Sequence, residues 1–159
     1  MKEIKLTQGK VALIDDADFE KISSFKWKAR LVRTLWYATA HVGNWRERKF
    51  IHMHNLLMNP PIGFIVDHRD HNGLNCQRSN MRLCTHAQNS KNRSAYGASK
   101  YLGVAIRRNR DCTYWIAAIQ SNKKRMHLGF FKSEKEAALA YNNAAKEHHG
   151  EFSNLNNLE

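Results

Sequence analysis

The chain has 159 residues, which is enough for one ordinary domain or two small ones. Its composition, 42% hydrophobic and 25% charged, is typical of globular proteins and argues against wholesale disorder. No apolar run approaches the roughly 20 residues that cross a bilayer, and Met1–Lys5 lacks the apolar core of a secretory signal. Three cysteines without a CxxC pair favour neither a disulfide framework nor a structural zinc site. We therefore expect an intracellular protein.

The net charge of +12 is unevenly distributed along the chain. Between Arg69 and Arg125 there are 12 basic and 2 acidic side chains, whereas the rest of the chain has 14 basic and 12 acidic ones. A solvated lysine-rich surface would mix the two signs. A segment so poor in carboxylates instead favours a polyanionic partner, above all nucleic acid.

The first half of the chain predicts short strands around small helices. Asp18 is predicted to cap a helix that ends near Ser24, and a second helix over 52–58 is stopped by Asn59-Pro60-Pro61. Alternating or strand-forming residues predict strands over 10–14, 25–29, 35–40, 64–67 and 81–84, and Lys49-Phe50-Ile51 leads into another short element.

The second half changes its periodicity twice. Thr85 and Gln88 fit a capping box, which predicts a short helix to about residue 91, followed by a polar linker. Strands are then predicted over 102–107, 114–120 and 125–130. A second capping box, Ser133 with Glu136, opens an alanine-rich helix that Gly150 terminates.

Four polar residues fall at the edges of neighbouring predicted elements. Asp67 and His68 follow one strand, Asn80 precedes the next strand, and Asn89 lies one turn inside the helix. Carboxylate and amide oxygens suit a hard cation, and an imidazole can take a proton from water near neutral pH. Taken alone, an Asp-His pair is also an ordinary surface feature, and Asn is common in turns.

At these residues the sequence resembles the HNH endonucleases of the phage and intron-associated type. The resemblance covers most of residues 48–93 and is carried by Met53-His54, Asn59-Pro60-Pro61, Val66-Asp67-His68, Asn80-Met81-Arg82-Leu83-Cys84-Thr85 and Asn89-Ser90-Lys91-Asn92-Arg93. It implies a ββα-metal fold and hydrolysis of DNA phosphodiester bonds, in the cytoplasm of a bacterial or phage-infected cell.

The resemblance also implies a role for each of the four polar residues. His68 would be the general base, Asp67 and Asn89 the metal ligands, and Asn80 the residue that holds the hairpin and orients His68. The third motif position is often His in this superfamily, and here it is Asn89. That difference favours Mg²⁺, with Mn²⁺ as a substitute, over zinc.

Two further residues near the motif are expected to support the site. His54 matches a histidine in the helix before the hairpin, and a structural role for it is at least as well supported as a catalytic one. Asn92, one helical turn beyond Asn89, is a reserve ligand.

The C-terminal residues 99–156 resemble the APETALA2-type DNA-binding domain. The matching residues are Tyr101-Leu102-Gly103-Val104, Trp115, Leu128-Gly129-Phe130-Phe131, Glu136-Ala137-Ala138, Ala140-Tyr141, Ala144-Ala145 and Gly150-Glu151-Phe152, ending at Asn156. The family implies a three-stranded sheet laid in the major groove, with a helix behind it.

Strand alternation independently predicts two different faces for this sheet. One face would carry Val104, Ile106, Trp115, Ala117, Ile119, Met126 and Leu128 toward the helix, and the other Ala105, Arg107, Ala118, Gln120, Arg125 and His127. The second set is small, polar or basic, as a groove-facing surface requires, although a plain solvent face is the alternative. The predicted DNA-binding residues are Arg107, Arg108, Gln120, Lys124, Arg125 and His127.

The sequence as a whole predicts an α+β protein with two parts. Residues 1–93 would form an HNH endonuclease domain, with a β-rich N-terminal segment and the ββα-metal hairpin at about 64–93. A linker over 94–100 would lead to a three-stranded antiparallel sheet packed on one helix over 101–159. The expected activity is metal-dependent cleavage of duplex DNA by a homing-type nuclease, a monomer by default.

Two other functions compete with the nuclease. A non-catalytic DNA-binding protein could keep the hairpin only as a fold, but it would not need all four polar residues. An RNA-binding module is disfavoured because Trp115 is assigned to the core, so no aromatic pair is expected on the exposed sheet face.

Overall fold

A computed structural model describes residues 1–43, 49–91, 98–109, 112–121 and 124–159. The chain divides into two compact units, Met1–His86 and Ala87–Glu159. Residues 92–97, which include Asn92 and part of the predicted linker, lie outside the described ranges. Within these ranges no helix is long and apolar enough to cross a membrane.

Within the described residues, the first unit contains three small antiparallel sheets, β1-β2, β3-β4-β5 and β6-β7, together with two short α-helices. Its elements are β1 (Lys2–Lys5), β2 (Val11–Ile14), α1 (Phe19–Ser23), β3 (Trp27–Val32), β4 (Leu35–Val42), β5 (Lys49–His52), α2 (Met53–Met58), β6 (Ile65–His68) and β7 (Met81–Cys84). The sequence predicted all of these except β1 and β5, with ends that differ by a few residues, and at β5 it indicated a short element without its type.

The start of α1 differs from its prediction. Asp18 occupies the N-cap position, but its side chain makes no capping hydrogen bond. Its buried carboxylate instead accepts hydrogen bonds from the Arg78 guanidinium at 2.6 and 2.9 Å. The predicted cap is therefore wrong, because an ion pair with the loop between β6 and β7 takes the carboxylate.

The same loop is fixed to β2 by backbone hydrogen bonds. Leu13 N–H donates to the Leu74 carbonyl at 2.9 Å, and Cys76 N–H donates to the Leu13 carbonyl at 2.8 Å. Leu74 and Cys76 are buried in the apolar core of this unit. The core therefore anchors the middle of a loop that begins directly after His68.

The second unit contains one antiparallel sheet in the order β10-β9-β8 and one long helix. Its strands are β8 (Val104–Arg108), β9 (Thr113–Ser121) and β10 (Lys124–Phe131), and its long helix is α4 (Glu134–His149). The predicted capping box of Ser133 and Glu136 is present, and Gly150 is the C-cap with φ +56°. A four-residue helix, α3 (His86–Asn89), lies at the boundary of the two units and is shorter than predicted.

Helix α4 packs on the sheet through small side chains. Ala137, Ala144 and Ala145 are buried together with Tyr141, as the sequence predicts. Gly103 has φ +73°, and a Cβ there would overlap the Tyr141 ring. This approach explains why glycine is needed at the start of β8.

Candidate active site

The β6-β7 hairpin carries three of the four predicted active-site residues. The strands pair antiparallel, with Asp67 opposite Arg82 and His68 opposite Met81. Neighbouring residues of a strand point to opposite faces, so the Asp67 carboxylate and the His68 ring occupy different faces of the hairpin. His68 is the last residue of β6 and thus stands where the strand turns into the loop.

Asp67 forms a buried ion pair with Arg82. The guanidinium reaches Oδ2 through Nε at 2.8 Å and through Nη2 at 2.7 Å, and both side chains are less than one-tenth exposed. Removing one partner of such a pair leaves a buried charge uncompensated, at a cost of about 3–5 kcal/mol. Asp67 therefore has a structural role, whatever else it binds.

His68 packs against aromatic rings from two other elements. Its centroid lies 5.1 Å from that of His54 in α2 and 6.1 Å from that of Tyr37 in β4. Burial lowers the pKa of His68, although the nearby Asp70 and Asp67 carboxylates oppose this shift. The imidazole is consequently neutral near pH 7 and able to accept a proton.

His54 occupies the place between α2 and the hairpin that the sequence suggested. It is 8% exposed, stacks on His52 with centroids 5.1 Å apart, and meets His68 edge to face. Burial, followed by repulsion between the protonated form of His54 and those of His68 and His52, lowers the pKa of His54 to about 3. A histidine that stays neutral at this depth packs like an aromatic residue, which suits a supporting role.

Asn80 closes the loop that follows His68. Its side chain accepts a hydrogen bond from Asp70 N–H at 3.1 Å and donates to Asp70 Oδ1 and to the Asn75 carbonyl, both at 2.9 Å. Its main-chain carbonyl accepts from Arg69 N–H at 2.9 Å. Asn80 thus holds the backbone of Arg69 and Asp70, the two residues that follow His68.

Asn89 is the last residue of α3 and belongs to the second unit. Asp67, His68 and Asn80 therefore lie together in the first unit, whereas Asn89 lies in the second unit. The two strands and the short helix follow one another in the predicted order. Their assembly into a ββα-metal site stays a prediction.

The predicted DNA-binding residues lie on the sheet of the second unit. Strand register places Arg107 opposite Tyr114, Gln120 opposite Arg125, and Ala118 opposite His127, so these side chains share the face away from α4. The side chains of Arg108 and Lys124 point to the other face, but both are exposed because they lie at strand ends.

One expectation about this sheet is wrong. Trp115 does pack on the core side, but Tyr114 and Phe130 lie on the opposite, exposed face with ring centroids 5.4 Å apart. Tyr114 is the neighbour of Trp115 in β9, so its side chain points to the opposite face. A β-bulge between His127 and Gly129 turns the Phe130 side chain to that same face. The exposed sheet face therefore does carry an aromatic pair.

Sequence reasoning missed two residues of the hairpin site. Arg82 could have been found from the register, because it lies opposite Asp67 once the two strands are paired. Tyr37 contacts His52, His54 and His68 from β4, a strand distant in sequence. The only sequence signal for it is strand alternation, which puts Tyr37 on the same face as Thr39, the residue opposite His52.

Comparison with known proteins gives two matches. Residues 58–91 match a family model described as HNH endonuclease. The chain is also 29% identical over 152 residues to a protein of Acanthamoeba polyphaga mimivirus described as an uncharacterized HNH endonuclease, covering 96% of this chain and 78% of that protein. These matches support an HNH nuclease. No solved structure matches the chain significantly.

The segment matched as HNH endonuclease contains the whole β6-β7 hairpin and α3. HNH nucleases act on DNA and generally use a divalent metal ion. Among the described residues, no group of three or more His, Cys, Asp or Glu side chains is arranged to hold a metal. A magnesium ion needs no such group, since one or two oxygen ligands together with water and substrate phosphate suffice.

Proposed function

We propose that the chain is a metal-dependent endonuclease that hydrolyses a phosphodiester bond of duplex DNA. The observation that carries this proposal is the set of hydrogen bonds between Asn80 and the two residues that follow His68, inside the matched segment. A general base must be held in a fixed direction toward the water it activates. The hydrogen bonds of Asn80 fix the backbone after His68, and the rings of Tyr37 and His54 fix the orientation of its imidazole.

His68 is assigned to proton transfer. An imidazole nitrogen takes the proton of a water molecule as its oxygen attacks the phosphorus. The bond from phosphorus to the 3′-oxygen then breaks, and the leaving oxygen takes a proton from solvent water, which leaves a 5′-phosphate and a 3′-hydroxyl. Tyr37 and His54 exclude water from the other sides of the His68 ring.

Asp67 and Asn89 are assigned as ligands of the metal ion, and Asn92 is an alternative ligand. The Asp67 carboxylate and the Asn89 amide both offer oxygen, and the amide adds no charge, so the donor set is hard, oxygen-based and of low charge. This chemistry fits Mg²⁺, or Mn²⁺, better than zinc, which prefers nitrogen and sulfur ligands. When bound, such a cation offsets the charge that develops on the scissile phosphate.

The sheet of the second unit is assigned to DNA affinity. Its three strands, with α4 behind them, agree with the resemblance to the APETALA2-type domain, as do Arg107, Gln120, Arg125 and His127 on the outer face. Arg108 and Lys124 add positive charge at the strand ends. We assign the domains as 1–93 and 101–159 with a linker over 94–100, and the enzyme as homing-type, free-standing or intron-encoded, and monomeric.

The proposal is tested by cleavage of supercoiled plasmid DNA. We expect activity with Mg²⁺ or Mn²⁺ and none in EDTA. His68→Ala should lower the single-turnover rate by about 10²–10⁴-fold while duplex affinity is unchanged, because a general base acts in the transition state. His41→Ala is the matched control, since His41 is exposed on β4 of the same unit. Duplex binding without cleavage under any divalent metal would instead support the non-catalytic alternative.

The metal role of Asp67 needs a double variant. Asp67→Ala alone leaves Arg82 buried without its carboxylate and destabilises the hairpin. Asp67→Ala combined with Arg82→Met removes both charges, and Arg82→Met alone reports the effect of the ion pair. We expect the double variant to fold and to need a higher Mg²⁺ concentration. An unchanged Mg²⁺ requirement would remove Asp67 from the ligand set.

A further inference from the structure

The sheet of the second unit has one face that α4 does not cover. We call this the open sheet face, and cross-strand register defines its members as Ala105, Arg107, Tyr114, Ile116, Ala118, Gln120, Arg125, His127 and Phe130. The opposite face holds Val104, Ala117 and Ile119, which are buried against α4. The open sheet face is thus a separate surface and is not needed to build the core.

Aromatic rings meet at the centre of the open sheet face. Phe130 lies 5.4 Å from Tyr114 with the ring planes at 72°, and 4.6 Å from His127 with the planes at 51°. Phe130 is 66% exposed, whereas its neighbour Phe131 packs into the core. An exposed phenylalanine in contact with two other rings is an unusual use of a solvent face and marks a contact site.

The backbone is shaped to present Phe130 outward. The register shift between His127 and Gly129 inserts one extra residue into β10, and Gly129 has φ +134°. Without the shift, strict alternation would put Phe130 on the same face as Leu128 and Met126, which pack toward α4. The bulge therefore brings Phe130 beside Tyr114 and His127.

Positive charge flanks the rings at both ends. Arg107 lies opposite Tyr114 on β8, and Arg125 lies opposite Gln120 beyond His127. None of the nine residues that define the open sheet face is acidic. Rings between arginines suit a strand of nucleic acid, whose bases stack on π-faces while its phosphates meet the guanidinium groups.

We propose that the open sheet face binds the unpaired bases of a single DNA strand by stacking on Phe130 and Tyr114. Paired bases in a duplex groove offer only their edges, which are read by hydrogen-bonding side chains and, at thymine methyl groups, by apolar contacts. Phe130 has no hydrogen-bonding group, and only an unstacked base can offer it a flat partner. The inference rests on the proposed DNA substrate and extends it to a strand that is locally unpaired.

The test uses the full chain in EDTA, so that binding is measured without cleavage. The probes are a fluorescent thymidine oligomer of about 12 nucleotides, an abasic strand of equal length and charge, and a duplex of equal length. We expect wild type to bind the thymidine strand at least about fivefold more tightly than the abasic strand, because stacking on an aromatic side chain contributes that much per base or more.

Substitution of the rings should remove this preference. Phe130→Ala with Tyr114→Ala should bind the two single strands equally and keep its affinity for the abasic strand. Phe130→Tyr, which retains a π-face, should keep the preference. Leu139→Ala is the matched control, because Leu139 is 51% exposed on α4 and lies outside the open sheet face.

Three outcomes would overturn the inference. They are equal wild-type affinity for the thymidine and abasic strands, a preference that survives loss of both rings, and a ring substitution that weakens only duplex binding. His68→Ala separates this inference from the proposed nuclease. This variant should keep the preference for the thymidine strand, so the binding test can fail or succeed independently of the nuclease activity.

Discussion

Replacing Asn80 by alanine tests whether one amide holds the loop after His68. Asn80 is 8% exposed, and its side chain makes three hydrogen bonds to Asp70 and Asn75. Each such bond contributes about 1 kcal/mol net, and water can replace part of the loss at Asp70, which is exposed. We therefore expect Asn80→Ala to lower the free energy of unfolding by about 1–2 kcal/mol.

Thermal unfolding followed by circular dichroism measures this change. For a cooperative unit of the size of residues 1–86, about 1–2 kcal/mol corresponds to a fall in Tm of about 4–16 °C. Asn72→Ala is the matched control in the same loop. Asn72 is exposed and its side chain accepts one hydrogen bond, from Leu74 N–H at 3.1 Å, so its loss should cost less than about 1 kcal/mol.

The same pair of variants tests the positioning role. At a temperature where both variants are folded, cleavage by Asn80→Ala should fall well below that of Asn72→Ala, because Asp70, two residues after His68, loses the hydrogen bonds of the Asn80 side chain. If Asn80→Ala were as stable and as active as Asn72→Ala, the assignment of Asn80 as the residue that closes this loop would be refuted.

Three further outcomes follow from the first unit and from one exposed thiol. Burial raises the pKa of Asp70, but the hydrogen bonds its carboxylate accepts outweigh this and lower it, so its stabilisation is present above the ordinary value of 3.8 and is lost as pH falls below it. Asp70→Asn should therefore be less stable than wild type in urea at about pH 7, and the gap should narrow as pH falls below 3.8 and the folded carboxylate becomes protonated, whereas a gap independent of pH would contradict this. Gly73→Ala would place a Cβ 2.6 Å from the Tyr37 ring and 2.5 Å from a backbone carbonyl, and should cost about 1–3 kcal/mol in chemical denaturation, whereas a stability equal to wild type would mean that the loop yields freely. Ellman's reagent should modify Cys112 quickly and the two buried thiols only in denaturant, since burial raises the pKa of Cys76 to about 12, and rapid modification of all three would contradict this packing.

Much of the fold could be predicted from local sequence signals. The strands over 81–84 and 125–130 and the capping box at Ser133 depend on alternation and on end chemistry that lie within a few residues of each other. Strand β1 was missed because Lys2–Lys5 gains its structure from pairing with Val11–Ile14, and its own sequence is mostly charged. Elements that depend on a partner strand give a weak local signal.

The parts that could not be predicted depend on register and on distant contacts. Arg78 lies 60 residues from Asp18, so the ion pair that replaces the predicted cap leaves no trace in either local sequence. The bulge in β10 exposes Phe130, and alternation counted through an unbroken strand assigns that residue to the wrong side. A shift by one residue reverses the face of every later side chain, which is why the aromatic pair was missed.

The hairpin separates two tasks that are adjacent in sequence. On one face of the hairpin, Asp67 forms an ion pair with Arg82. On the other face, the His68 side chain lies beside that of Met81, which is buried in the core. Loss of the His68 ring should therefore leave the ion pair intact, and removal of both charges should leave the ring contacts of His68 with Tyr37 intact. The two sets of variants thus act on different faces of the same hairpin. Their effects on stability should add, whereas a loss of cleavage in the combined variant that is smaller than the sum of the separate losses would show that both faces serve one reaction.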